Sequence, residues 1–124
     1  MKFRKVNVAQ WTDDIHMSFS PEHKLIYSYL TTNPFTSMAG IHPLNFGTAA
    51  KLIGINEVPL KNSFGAFCKQ YPFIIAFDPE TEEYFMPSWI KENYSVSPKS
   101  QTGMIHSLER VKSLPLIRML NDHI

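Results

Sequence analysis

Apolar positions along the chain fall into stretches of helical period, separated by short runs that alternate or are continuously apolar. Over Lys2 to Val8, Phe3, Val6 and Val8 are interleaved with charged or polar residues, which predicts a short strand or extended arm. Trp11 to Asp14 reads as a turn. The first clear helix opens at Ser20-Pro21-Glu22. Ser20 supplies a capping hydroxyl, Pro21 needs no amide partner in the first turn, and Glu22 sits at the positive end of the dipole. Leu25, Ile26, Tyr29 and Leu30 make its apolar stripe, and Asn33-Pro34 stops it.

Ala39 to Leu44 predicts a short extended segment that Pro43 confines to an edge or a single bridge. Asn45 then caps a second helix from Phe46 to about Ile53, with Ala49, Ala50, Leu52 and Ile53 facing inward. Gly54 provides its left-handed exit. Asn56 is the expected cap of a third helix that carries Glu57 and Pro59 in its first turn. Two short helices joined through Gly54-Ile55-Asn56 have the length and turn chemistry of a helix-turn-helix.

At about 100° per residue, Leu60, Phe64, Phe67 and Tyr71 share one face of the third helix, with Ser63 and Cys68 at its margins. The opposite face holds Lys61, Asn62, Gly65, Ala66 and Lys69, with Gln70 at its edge. Tyr71-Pro72 ends the helix. Phe73 to Phe77 predicts a strand, Asp78 to Glu82 a turn, and Glu83 to Met86 the returning strand. Strand, helix, short strand, helix-turn-helix and hairpin, in that order, predict a helix-rich α+β fold: a winged helix-turn-helix with a two-stranded wing. Residues 1–94 would form this winged-helix domain. Trp89 to about Tyr94 is a short helix leaving the wing. Residues 95–124 would add a helical extension packed on the same domain. One of its helices opens at Ser97-Pro98 with Met104, Ile105, Leu108 and Val111 inward, and Leu114-Pro115 separates it from a terminal helix carrying Leu116, Ile117, Met119 and Leu120.

Composition narrows the function classes. At 124 residues, 44% apolar and 19% charged, the chain suits one globular domain. It has no run long enough to span a membrane and no signal-peptide core after its basic start. A single Cys68 excludes an internal disulfide and suits a reducing cytoplasm. The net charge of +1 is not that of a strongly basic nucleic-acid binder, so any DNA contact must rest on local arrangement. His16, His23, His42, His106 and His123 are scattered without the spacing of a zinc site, and Asp13-Asp14 with His16 reads as a solvated turn. No glycine-rich phosphate loop is present, and Cys68 reads as a packing thiol. The expectation is a protein with no catalytic residues, no metal and no cofactor.

Several stretches resemble the opening of the phage and prophage replication-initiation proteins called replisome organisers. They are Ser20-Pro21-Glu22-His23-Lys24-Leu25, Thr32-Asn33-Pro34-Phe35-Thr36 and Ala39-Gly40-Ile41. The likeness continues through Gly54-Ile55-Asn56 and the third helix, then resumes in Trp89-Ile90-Lys91-Glu92-Asn93 and Ser97-Pro98-Lys99. The resemblance implies a winged helix that binds origin DNA in a bacterial host's cytoplasm. In that family a later region recruits or loads the replicative helicase, so helicase loading is not expected of these residues. The chain departs from the family pattern at His42-Pro43, where an aromatic residue is common, and at Asn62, Gly65 and Ala66, where charged residues are common.

The docking such a fold uses would set the third helix in the major groove of double-stranded DNA. Lys61 and Lys69 would then lie near phosphates and Asn62 or Gln70 at base edges. Gly65 and Ala66 would allow close approach, and Thr48 and Lys51 would meet flanking phosphates. Asp78, Glu80, Glu82 and Glu83 would keep the wing tip off the backbone. Few cations imply modest affinity from one copy, which a homodimer through the C-terminal helices would raise. Other readings stand beside this one. The polar face is solvated surface, the fold binds a host replication protein instead of DNA, or the chain is a transcriptional repressor.

Overall fold

Asp13 caps the first α-helix of the described residues. The structure, a computed structural model, describes residues 3–93 and 97–123. The Asp13 carboxylate accepts the His16 N–H at 3.1 Å and starts α1 (Asp14–Met17). A 3-10 helix, Val8–Thr12, precedes it. Ser20 Oγ accepts the His23 N–H at 3.1 Å ahead of α2 (Pro21–Thr32), with the proline in the first turn as its missing donor allows. After β1 (Ile41–Pro43), Asn45 Oδ1 accepts the Thr48 N–H at 2.9 Å and starts α3 (Phe46–Ile53). Gly54 ends α3 at φ +89°, a conformation that glycine adopts without steric cost. The chain then enters α4 (Glu57–Gln70) and the hairpin of β2 (Ala76–Asp78) and β3 (Glu83–Phe85). Three helices follow: α5 (Pro87–Asn93), α6 (Pro98–Glu109), capped by Ser97, and α7 (Leu114–His123).

The three strands form one antiparallel sheet in the order β1-β3-β2. Phe85 lies opposite both Ile41 and Ala76, so β3 is the middle strand. Successive side chains of a strand point to opposite faces. Tyr84 therefore enters a core with Ile26, Leu30, Leu60, Phe64 and Phe67 from α2 and α4. Phe85 enters a second core with Ile41, Met104, Leu116 and Leu120. The Tyr84 hydroxyl donates to the Leu30 carbonyl at 2.6 Å and accepts from Asn33 Nδ2 at 3.1 Å, which ties the end of α2 to the sheet. These features establish a helix-rich α+β chain with a small three-stranded antiparallel sheet.

Several expectations need correction. Of the strand and the arm expected over Lys2 to Val8, the strand is overturned: Phe3 to Asn7 take no regular structure and no strand partner, and Phe3, Val6 and Val8 are exposed (Lys2 lies outside the described residues). The local contact wins there: Asn7 accepts the Ala9 N–H at 3.0 Å and starts the 3-10 helix. The expected turn at Trp11 to Asp14 is the end of that helix and the start of α1. His16 is buried in that segment instead of solvated. The apolar run Phe73 to Phe77 is strand only from Ala76, because the Ile74 and Ile75 amides turn back to the Tyr71 carbonyl. Leu52 faces solvent instead of the core, and Asn56 makes no side-chain cap. Of the C-terminal apolar residues, Met104, Leu116 and Leu120 are buried, whereas Ile105 and Leu114 are exposed. The expected boundary between residues 94 and 95, and the expected helix end at Tyr94, lie outside the described residues.

Candidate nucleic-acid interface

The polar face of α4 is held rigid by what lies behind it. Leu60, Phe64 and Phe67 are all at most 3% exposed, and Tyr71 closes the same row. Phe46 of α3 packs edge-on to Phe64, with ring centroids 5.4 Å apart, which fixes the angle between the two helices. An outward face at positions 61, 62, 65, 66 and 69 follows from the helical period once the inward row is buried. Lys61, Asn62, Gly65, Ala66, Lys69 and Gln70 are exposed, as is Lys51 on α3, while Thr48 is half-buried. Thr48 and Lys51 belong to α3, and the other six share the solvent-facing side of α4.

Their chemistry is uncommitted. Among the described residues, the ion pair found is His106 with Glu109, on α6, so Lys51, Lys61 and Lys69 are not neutralised by carboxylates. Lys61 Nζ sits 5.5 Å from the centre of the Phe46 ring, a contact that orients the ammonium without discharging it. A Cβ placed on Gly65 would meet nothing within 4 Å, so the helix surface is open at that point. Thr48, Lys51 and Gly54 line a shallow concavity of about 700 Å³ at the α3–α4 turn, shared with Glu57. Leu52 and Val58, 56% and 68% exposed, add apolar surface on the same two helices, which the reading of Leu52 as a core residue missed.

The carboxylates of the β2–β3 hairpin are not the repulsive cluster that the sequence implies. Glu83 is buried on the face of β3 that meets α7, and it accepts the backbone N–H groups of Lys112 and Ser113. Asp78 accepts from Ser113 Oγ at 2.6 Å, and that hydrogen bond holds its carboxyl below the usual carboxylate range. Only Glu80 and Glu82 remain exposed at the turn. The position of Glu83, two residues before Phe85, carried the signal, because residues i and i+2 share a strand face.

Two further side chains, Cys68 and His16, carry groups capable of chemistry. Cys68 is half-buried, and burial pushes its thiol up to about 12, away from a reactive thiolate. His16 lies among Trp11, Phe19 and Tyr27, with ring centroids 5.6, 5.0 and 5.2 Å away, and burial lowers its pKa. No group of three metal-ligating side chains is gathered among the described residues. No helix among them is long and apolar enough to cross a membrane. The chain matches no protein-family model, no curated protein and no solved structure.

Proposed function

We propose that the chain is a winged-helix protein that binds double-stranded DNA and acts in the initiation of phage or prophage DNA replication. The observation that carries the DNA reading is the outward face of α4. It presents two lysines, two amides and two small residues, unpaired, on a helix whose other face is core. The order α2-β1-α3-α4-β2-β3, with β1 paired to β3, supports the winged-helix reading, with α4 as the recognition helix and the β2–β3 hairpin as the wing. The replication role and a bacterial cytoplasmic setting rest on the resemblance of Ser20–Leu25, Thr32–Thr36 and Ser97–Lys99 to replisome organisers.

Lys61, Lys69 and Lys51 contact phosphates in this docking, and Asn62 and Gln70 reach base edges. Three phosphate contacts give a slope of log affinity against log salt of roughly −2.7 per protomer. Such a slope means weak binding by one copy, and a homodimer doubles the contacts. The test is an anisotropy titration with random duplex DNA at low and moderate salt, followed by fragments of a phage origin. Salt-sensitive binding that tightens on the origin supports initiation. Salt-sensitive binding that prefers a promoter operator supports a repressor instead. No binding at low salt ends the DNA reading.

The exposure of Leu52 and Val58 beside the polar face favours a second reading, in which the same unit packs against a host replication protein. A stable complex with that partner, together with indifference to DNA, distinguishes it.

A further inference from the structure

A concavity of about 500 Å³ opens between the α2–β1 loop, the β2–β3 turn and the end of α6, and no α4 residue lines it. Arg4, Arg110 and Lys112 bring three cations to its wall. Arg110 and Lys112 are exposed, and neither is ion-paired among the described residues. Arg4 is fixed in place. Its Nε donates to Thr36 Oγ1 at 2.8 Å, its Nη2 to the Thr36 carbonyl at 2.7 Å, and its Nη1 to the Phe3 carbonyl at 3.3 Å. A guanidinium has five N–H groups, so three are committed and two are left.

Glu83 is the carboxylate on the same wall, and it is already engaged. Its two oxygens accept the Lys112 amide at 3.1 and 3.2 Å and the Ser113 amide at 2.8 Å. One fixed cation, Arg4, and two exposed ones, Arg110 and Lys112, thus share the lining with a single hydrogen-bonded carboxylate, an excess of positive charge at the recess. Phe35, 48% exposed, supplies an aromatic surface on the rim. The volume is far larger than a single phosphate needs. Cations that suit a phosphate, next to an aromatic face that suits a planar ring, describe one ligand class.

We propose that this concavity binds a nucleotide unit, with its phosphate on Arg110, Lys112 and the two spare Arg4 N–H groups and its base against Phe35. The unit comes from a free nucleotide or from one residue of a single strand. The site is independent of the α4 interface, so either can fail without the other.

Arg4 lies over the Trp89 ring, 5.3 Å from its centre, which makes Trp89 a reporter of what Arg4 binds. The chain has two tryptophans, and Trp11→Phe leaves Trp89 alone. In that background, adenosine monophosphate and a short single-stranded oligothymidylate are titrated by Trp89 emission and by calorimetry. Saturable binding of at least one is expected. Arg110→Ala with Lys112→Ala weakens it about tenfold or more, while Arg118→Ala, at an exposed cation outside the concavity, leaves it unchanged. Tighter binding of the oligonucleotide assigns the unit to a strand, and tighter binding of the monophosphate assigns it to a free nucleotide. No saturable binding by either method overturns the proposal. So does binding retained in the Arg110/Lys112 variant, or adenosine binding as tightly as its monophosphate.

Discussion

The Glu83 carboxylate accepts the Ser113 backbone N–H at 2.8 Å, joining residues thirty positions apart in the chain. Ser113 in turn caps α7, its Oγ accepting the Leu116 N–H at 3.2 Å and donating to Asp78. The hairpin therefore anchors the terminal helix through an acidic residue on each strand. Glu83→Ala leaves the buried Ser113 amide without an acceptor, at a cost of about 1–3 kcal/mol. Glu83→Gln keeps an acceptor oxygen and is expected to cost less. Urea denaturation of both variants checks the order, and equal loss would mean that the oxygens are not what holds α7.

If α4 enters the major groove, Lys61→Ala and Lys69→Ala each flatten the salt dependence by about 0.9 in slope and weaken all duplexes alike. Asn62→Ala changes which sequence is preferred. Anisotropy across several salt concentrations separates the two effects. Wild-type slopes in the lysine variants would remove α4 from the interface.

Gly65 offers a sharper discrimination. Its substitution by Ala meets nothing within 4 Å and raises helix propensity, so the fold is expected to gain about 0.8–1 kcal/mol. A close DNA backbone would meet the new methyl group. Greater thermal stability with weaker DNA binding fits the docking. Greater stability with unchanged binding means that the face is only solvated.

Gly40 and Gly54 both adopt positive φ, +82° and +89°. An added Cβ at Gly54 has open space, so Gly54→Ala carries only the left-handed backbone cost of about 1–2 kcal/mol. At Gly40 it would also press on Trp89 Cδ1 at 3.3 Å. Gly40→Ala is expected to destabilise more than Gly54→Ala, with a change in Trp89 fluorescence that Gly54→Ala lacks. Comparison of their thermal midpoints and emission spectra tests both points.

His16 and Asp78 make stability depend on pH in the same direction. Burial lowers the His16 pKa in the folded state, so its neutral form is favoured by folding. Its contribution is complete above the unfolded histidine value of about 6.5 and is lost as pH falls through the lower folded value. The hydrogen bond from Ser113 lowers the Asp78 pKa, so that contribution is complete above the ordinary carboxylate range and disappears in stronger acid. Thermal melts of His16→Phe should lose the slope just below neutrality, and those of Asp78→Asn part of the acid limb.

What was legible in the sequence was local. Ser20-Pro21, Asn45 and Ser97-Pro98 cap the amides three residues ahead of them, so their helices start where the residues alone indicate. The inward row of α4 follows from period and is buried as expected. The failures are positions where a distant partner or a local turn decides. Phe3, Val6 and Val8 alternate correctly, yet no strand lies beside them. Phe73 is 60% exposed because its neighbours fold back on Tyr71. Glu83 looked like a wing-tip charge because its acceptors' partners, Lys112 and Ser113, lie in a later segment. In the candidate site, the exposed α4 face was readable from spacing. The Arg4, Arg110 and Lys112 recess was not, because those residues meet only through the fold.

Tyr84 and Phe85 are neighbours in the chain, yet each belongs to a different core. Between them runs a single peptide unit in the middle of the sheet. One strand serves both layers as a wall, so loss of β3 from the sheet would open both cores at once. The terminal helix is thus expected to unfold together with α2–α4, with the amides of β3 among the slowest to exchange with solvent.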